Sequence, residues 1–253
     1  MIIRTQYLGQ SYSADLSQPL DISIPIGEVK CFGAPDVVLE PFTEGAFVGS
    51  VKAGAPVNFF NVRMNPHGNG THTECLGHIT AAQETIHDSL KTFHFVARLI
   101  SVSPQSIGED RVITRAEITS ALSSAAFPEA LILRTLPNNP SKLSRDYTGT
   151  NPPYLDVAAM SLLVEHGVKH LLLDLSSVDR EKDEGKLSAH HRFWDLTDTA
   201  RKSERVDCTI TELIYVPDTI EDGLYLLNIQ IPSLRLDAAP SKPVLFKLIR
   251  NEN

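Results

Sequence analysis

The sequence predicts a single-domain α/β protein with a mixed sheet and flanking helices. Helical and strand patterns alternate in the middle of the chain, strand patterns dominate both ends, and no Pro- or Gly-rich stretch divides it cleanly. The chain has 253 residues, of which 42% are hydrophobic and 21% charged. Such a composition is typical of globular proteins, and this length is enough for one large core. We therefore expect one domain over residues 1–253.

The clearest predicted element is a largely buried helix at residues 154–167, which ends at Gly167. An apolar run at residues 168–174 follows at once and predicts a buried strand. Thr114-Arg-Ala-Glu117 is a capping box, which predicts a short helix that begins there and continues to Leu122. Polar residues 141–150 lie between proline-rich stretches and predict a surface loop or lid. Further strands are predicted where apolar or β-branched residues cluster, at residues 93–102, 130–135, 209–216, 224–231 and 244–249.

Charge and cysteine content exclude several classes of protein. The formal net charge is −8, which argues against a nucleic-acid partner. No apolar run reaches the roughly 20 residues of a membrane helix, and the first residues do not match a secretory signal. The three cysteines, Cys31, Cys75 and Cys208, are too few and too widely spaced for a disulfide framework, and they suit a reducing compartment. We expect a cytoplasmic protein that binds a small molecule, without a nucleic-acid or membrane partner.

The segment from His67 to His78 holds the strongest chemical signal. It contains three histidines, His67, His72 and His78, and one carboxylate, Glu74. Imidazole nitrogen and carboxylate oxygen together suit zinc, manganese or iron better than calcium or magnesium. In an extended strand, His72 and Glu74 lie two positions apart and share a face, which gives two ligands from one strand. The alternative interpretation is a polar loop that happens to be rich in histidine.

Glu212 is a candidate ligand from a distant part of the chain. In a strand over residues 209–216, it shares a face with three apolar residues, Ile210, Ile214 and Val216. A carboxylate on an apolar face is costly to bury unless a cation or hydrogen-bond donors meet it. A metal ion would supply the cation. The alternative is that Glu212 is exposed on an edge strand, where it needs no partner.

His190 and His191 are the other distant candidates. If residues 186–199 are helical, His190 lies beside Leu187 and Trp194 on an apolar face. A single histidine on such a face is often a core residue, so the pattern alone leaves both interpretations open.

Taken together, these residues resemble the cyclase family that includes bacterial kynurenine formamidase and isatin hydrolase. The short motif of that family is His-x-Gly-Thr-His-x-Asp-Ala-Pro-x-His, and Gly70-Thr71-His72-x-Glu74-x-x-x-His78 follows it closely. Further similarities occur in the family's order along most of the chain, at residues 15–20, 131–135, 167–179, 189–190, 211–213, 222–232 and 243–244.

The resemblance implies a fold of the swivelling β/β/α type, a tendency to form homo-oligomers, and a role for each motif residue. It implies that His67, His72 and Glu74 bind one metal ion, and that Glu74 and Glu212 bridge to a second ion bound by His190. His78 is the implied general acid/base.

This sequence departs from the family pattern at three places. One extra residue separates His67 from His72, so that Gly68 occupies the aligned position, and a bulge through Gly68-Asn69 would bring His67 into the site. Glu74 replaces the usual aspartate, and Cys75-Leu76 replaces Ala-Pro. We interpret Cys75 as a small buried residue. The tryptophan that formamidases use near the opening strand is also missing, which weakens the inference of a formylkynurenine substrate.

The sequence thus predicts hydrolysis of a small amide, formamide or lactam with one or two divalent ions, zinc or manganese. His78 would carry the proton. Phe59 and Phe60 would form an apolar wall of the substrate pocket, or else belong to the core. The alternatives are cyclisation, dehydration or lactone opening at the same site, and a non-catalytic protein with a structural metal.

Overall fold

The computed structural model describes residues 1–123, 125–196 and 203–251. The strands in these residues, numbered in chain order, are β1 Ile2–Tyr7, β2 Gln10–Asp15, β3 Leu20–Asp21, β4 Val38–Pro41, β5 Thr43–Glu44, β6 Phe47–Val48, β7 Phe60–Arg63, β8 His72–Glu74, β9 His94–Val102, β10 Gln105–Ile107, β11 Asp110–Ile113, β12 Ala130–Thr135, β13 Tyr154–Leu155, β14 His170–Leu173, β15 Thr209–Glu212, β16 Gly223–Gln230, β17 Ala238–Pro240, β18 Lys242–Lys247 and β19 Ile249–Arg250.

Within the described ranges, four α-helices connect or flank the strands: α1 Ile86–Ser89, α2 Arg115–Leu122, α3 Val157–Glu165 and α4 Ser188–Phe193. Short 3-10 helices lie at Val51–Ala53, Leu76–His78 and Pro140–Ser144. The capping box predicted at Thr114 and Glu117 is present at the start of α2. None of the helices in the described ranges is long and apolar enough to cross a membrane.

A curled nine-stranded mixed sheet forms the centre of the fold, in the order β17-β8-β15-β14-β12-β9-β16-β18-β3. Strands β9, β12, β14 and β15 run parallel, and the strands on both sides of them pair antiparallel. The parallel strands need crossover connections, which α2, α3 and α4 supply. Four smaller sheets accompany it in the described residues: the three-stranded sheets β1-β2-β19 and β10-β11-β13, and the two-stranded ribbons β4-β7 and β5-β6.

Both faces of the central strands are buried, which explains why their sequences are almost continuously apolar. Leu131 and Leu133 pack under α2, α3 and α4 on the helix-covered face. Ile132 and Leu172 point to the opposite face, where the curl of the sheet brings Leu227 against them. The α/β architecture predicted from the sequence is therefore confirmed, including the strand at Ala130–Thr135.

Residues 141–150 are mostly exposed, as predicted for a surface loop, but two of their side chains are buried in the body of the protein. The buried Lys142 ammonium donates to the Asp174 carboxylate at 2.7 Å and to the Thr135 carbonyl at 2.7 Å. Tyr147 is also buried and packs with Ile24 and other apolar residues. These contacts anchor the segment to the ends of β12 and β14.

Residues 38–63, which we call the apolar arm, leave the body as the ribbons β4-β7 and β5-β6. Several of its large apolar side chains are strongly exposed, among them Leu39 (64%) and Val62 (59%). A two-stranded ribbon is at best marginally stable alone. An exposed apolar surface of this kind is a common sign of an interaction surface.

Candidate metal centre

Strand β8 supplies two side chains to the centre. It lies between β15 and β17, and its residues His72 and Glu74 are fully buried on one face, as the alternation of a strand predicts. Thr73 points to the other face, where its hydroxyl lies 2.8 Å from that of Thr211. The centre is therefore built on a strand that is paired on both sides, next to the edge strand β17, and not on a free loop.

The His72 ring has a defined tautomer. Its Nδ1–H donates to the Gly70 carbonyl at 3.1 Å, which leaves the lone pair on Nε2. That nitrogen lies 3.5 Å from Glu212 Oε2. His72 Nε2 and Glu74 Oε2 are both buried, and neither has a hydrogen-bond partner among the described residues. Two buried acceptor atoms without a donor fit a cation, because buried polar groups are otherwise nearly always hydrogen-bonded.

Glu212 is buried at the end of β15, opposite His72 in the register of the sheet. Its Oε1 accepts from the Val178 backbone N–H at 3.0 Å. It shares a face with Ile210 as predicted, but the predicted strand ends here because Leu213 adopts a φ of 55°. Ile214 and Val216 consequently belong to the opposite core cluster. The carboxylate is not exposed on an edge.

His190 reaches the centre from α4. Its Nδ1 donates to Asp179 Oδ2 at 2.6 Å, and its Nε2 lies 3.1 Å from Glu74 Oε1. Asp179 also accepts from the backbone N–H groups of Ala189 and His190, at the first turn of the helix. A carboxylate behind an imidazole in this way is typical of metal-binding histidines. Residues 197–199 of the helix predicted at 186–199 lie outside the described residues.

His67 enters the centre through a turn at residues 65–68. A Cβ on Gly68 would lie 2.3 Å from Ala34 Cβ, so only glycine allows the turn to pack here. The turn accommodates the extra residue before His72 without a bulge in β8, which begins at His72 itself. His67 Nδ1 lies 3.2 Å from Glu74 Oε2.

His78 ends the 3-10 turn Leu76–His78 and is partly exposed, at 28% of its side chain. The turn passes so close to Glu84 that a Cβ on Gly77 would lie 1.9 Å from the Glu84 carbonyl oxygen. His78 Nε2 lies 3.8 Å from Glu74 Oε2. His78 therefore faces Glu74 while remaining open to the solvent side.

Asp237 also belongs to the centre, and the sequence analysis missed it. Its Oδ2 accepts from His67 Nε2 at 2.8 Å and from His78 Nδ1 at 3.2 Å. It is an isolated aspartate just before β17, without a neighbouring histidine or carboxylate in sequence. Only the pairing of β17 with β8 brings it here.

Opposite charges determine the ionisation in this buried group. Burial alone would raise the pKa of Glu74, but the neighbouring His78, His190 and His67 hold it well below its usual range. Burial would likewise lower the pKa of His67 and of His190. The carboxylates of Asp237 and Glu74 raise the pKa of His67 to about 10, and those of Asp179 and Glu74 raise the pKa of His190 to about 10. The carboxylates thus make the centre strongly attractive to positive charge.

The potential ligand atoms fall into two groups that share Glu74. In one, the donor atoms of His72, Glu74 and Glu212 lie within 4.8 Å of one another, and in the other those of His67, Glu74 and His78 do so. The family resemblance instead groups His67 with His72, and His190 with Glu212. All six predicted residues lie together around Glu74.

A cavity of about 420 Å³ opens beside the centre. His67, His78, His190 and Glu212 contribute to its wall, and the other lining residues are Cys31, Phe32, Ala34, Asn65, Gly68, Ser177, Asp179, Arg180, Glu181, Asp183 and Leu187. Phe59 and Phe60, which the sequence suggests as pocket walls, are not among them. Both lie on the apolar arm and are exposed, at 55% and 44%.

A family model described as "putative cyclase" matches residues 14–180, which is well over half of the chain. The chain belongs to the Cyclase family. The matched range includes the motif from His67 to His78 and ends before His190. No curated protein is similar enough in sequence to count as a match.

Solved structures share the Cyclase-family fold at low sequence identity. A structure described as a novel cyclase has a TM-score of 0.67 at 14% identity, covering 92% of this chain and 90% of its own. Isatin hydrolase A from Labrenzia aggregata has a TM-score of 0.64 at 12% identity, covering 90% and 93%. A predicted metal-dependent hydrolase from Bacillus stearothermophilus has a TM-score of 0.60 at 17% identity, covering 90% and 98%. At these identities the comparison establishes the fold, which is that of a single α/β domain with a large mixed sheet.

The two adjacent histidines of α4 offer a matched test of this geometry. His190→Ala removes a ring that contacts Glu74, so the affinity for metal should fall at least about tenfold. His191→Ala removes the next ring, which is only half-buried and lies outside the cavity lining, and it should leave metal content unchanged. Metal content after dialysis against a weak chelator measures both. Loss of metal from His191→Ala alone would shift the assignment by one position.

Proposed function

We propose that this protein is a metal-dependent hydrolase that cleaves a C–N bond in a small amide, formamide or lactam, not in a peptide. The observation that supports this most strongly is the pair of buried acceptor atoms, His72 Nε2 and Glu74 Oε2, beside an open cavity. The family membership and the hydrolase names of several proteins with this fold agree with it. The proposed ligands are His67, His72, Glu74, His190 and Glu212.

Zinc or manganese, as one or two ions sharing Glu74, is the proposed cofactor, since imidazole and carboxylate are the donors these metals prefer. Such an ion, when bound, lowers the pKa of a coordinated water and polarises a carbonyl group. The protein holds each donor in place through a second contact: His72 through Gly70, His190 through Asp179, and Glu212 through Val178. Rigid donors of this kind are what a catalytic metal requires.

His78 is the proposed general acid/base. It faces both Glu74 and the cavity, and its Nδ1–H is engaged by Asp237, so that its Nε2 is the nitrogen free to accept a proton. In this role Nε2 takes a proton from the attacking water and returns it to the departing nitrogen. The partial exposure of the ring allows proton exchange with solvent.

Metal analysis of the purified protein, combined with hydrolysis assays on formyl-anilides and isatin, tests this function. We expect stoichiometric zinc or manganese and turnover of at least one of these substrates, which chelation abolishes and metal restores. Lactones and hydroxy acids form a second, matched panel of substrates. A protein that binds metal but hydrolyses none of the amide compounds would contradict the amide specificity. Turnover within that second panel favours ring closure or lactone opening, which fits a structural neighbour described as having cyclase activity.

We further propose that the protein is a cytoplasmic homo-oligomer whose only other partner is its small-molecule substrate. The apolar arm supports self-association, because its strongly exposed side chains extend along both ribbons.

The arm gives a direct test of the oligomer. Light scattering coupled to size exclusion should give a mass that is at least twice the 27.8 kDa of one chain. Val62→Asp places a charge on the arm where the side chain is 59% exposed, so folding is unaffected while the dissociation constant rises more than about tenfold. Leu8→Asp, at an apolar position outside the arm that is 68% exposed, is the matched control. A monomeric wild-type protein, or equal effects of both variants, would contradict a role for the arm.

A further inference from the structure

Asp237 is fixed beside the centre by the backbone as well as by its side chain. Its carbonyl oxygen accepts from the Cys75 N–H at 2.9 Å, and the next residue, Ala238, pairs with Glu74 across the two strands. The aspartate is therefore locked to the strand that carries His72 and Glu74. Its carboxylate is held by the two histidine rings that it contacts.

A single oxygen of this carboxylate contacts two histidine rings. Asp237 Oδ2 lies 2.8 Å from His67 Nε2 and 3.2 Å from His78 Nδ1. The two rings are neighbours, with centroids 4.3 Å apart and planes inclined by 31°. On the far side of each ring, His67 Nδ1 and His78 Nε2 lie 3.2 and 3.8 Å from the same atom, Glu74 Oε2.

This arrangement selects one tautomer for each ring. A carboxylate oxygen accepts and does not donate, so the ring nitrogens that face Asp237 both carry hydrogen. An imidazole that binds a metal is neutral and has only one N–H, so with a cation in the centre the lone pairs would be on His67 Nδ1 and His78 Nε2. Both lone pairs then point toward Glu74. The two rings have opposite tautomers because they approach Asp237 through opposite nitrogens.

We infer that Asp237 is a positioning residue that sets the tautomer and orientation of His67 and His78 together. The inference rests on the proposed function, in which His67 is a metal ligand and His78 carries the proton. Because one oxygen of Asp237 contacts both rings, the residue affects metal binding by His67 and proton transfer by His78 at the same time. Outer carboxylates of metal-binding histidines contribute about 10- to 100-fold to metal affinity or activity.

Asp237→Asn tests the inference, because it keeps the size of the side chain and removes its charge. An asparagine can present its amide hydrogens, which favours the wrong tautomer in at least one ring. We expect zinc affinity, measured by competition with a chelator, to fall about 10- to 100-fold. The nitrogen-15 spectrum of the zinc-loaded protein should lose the Nε2–H form of His67 or the Nδ1–H form of His78. Asp237→Glu, which restores the charge, should recover part of both signals.

Asp207→Asn is the matched control, since this exposed aspartate pairs with Lys169 away from the centre. Unchanged zinc affinity and unchanged tautomers in Asp237→Asn would overturn the inference. A lower melting temperature with normal tautomers would assign Asp237 a structural role instead, and complete loss of zinc would make it a ligand. Zinc affinity and tautomers need no substrate. They therefore test Asp237 even if the protein hydrolyses none of the assayed amides, a result that would count against the proposed function alone.

Discussion

Replacement of Glu74 with alanine should remove nearly all bound metal, with a loss of affinity greater than about 100-fold. Glu74 is the residue common to both groups of potential ligand atoms, and His67, His78 and His190 all face its two oxygens. Removing it leaves each group with two donors at most. Metal content by mass spectrometry and affinity by chelator competition measure the effect.

Two further variants separate charge from packing at this position. Glu74→Gln keeps the volume of a fully buried side chain and should still lose the metal, because the amide is a poor replacement for a carboxylate that faces several imidazoles. Glu165→Ala, at a half-exposed glutamate on α3, should bind metal like the wild type. Full metal occupancy in Glu74→Ala would remove β8 from the centre altogether.

Replacement of His78 with alanine should leave metal and fold intact while slowing turnover by about 100- to 10,000-fold, the usual contribution of a general acid/base. The partial exposure of the ring means that its loss opens no large cavity. The variant should lower kcat more than it changes KM, because His78 acts on a proton that moves in the transition state and does not take part in substrate binding. Turnover of one working substrate, metal content and thermal melting together measure it.

The same variant distinguishes an enzyme from a metal-holding scaffold. His78 also belongs to one of the two groups of potential ligand atoms, so a fall in metal content in step with activity would make it a ligand instead of a proton carrier. His87→Ala, a partly buried histidine on α1, controls for the loss of any imidazole. Normal metal and normal turnover in His78→Ala would exclude it from the mechanism.

Local patterns were enough to predict much of the fold. The capping box placed the start of α2, and continuous apolar runs placed β12 and β14, because a parallel strand covered on both faces has no polar side to interrupt the run. The period of two along a strand put His72 and Glu74 on one face. Each of these features depends on residues adjacent in the chain.

Features that depend on pairing between distant segments could not be predicted in this way. Asp237 carries no local signal, and only the pairing of β17 with β8 brings it to His67. The positive φ at Leu213, which moves Ile214 to the opposite face, occurs at a residue type that rarely adopts it. Phe59 and Phe60 were predicted to be pocket or core residues, but they are exposed on the apolar arm. The sequence pattern of the arm resembles that of a buried strand, so the pattern could not distinguish the two.

The residues of the centre are far apart in the sequence, and this separation affects when the centre can form during synthesis and folding. The contact between His67 and Asp237 joins residues 170 positions apart, and that between Glu74 and His190 joins residues 116 positions apart. Such long loops close slowly, and a chain emerging from the ribosome lacks Asp237 until every other residue of the centre has been synthesised. Metal uptake would thus be a late event that follows sheet closure. An ion bound only to the finished fold cannot guide the early stages, but it stabilises the end product in proportion to its concentration and affinity.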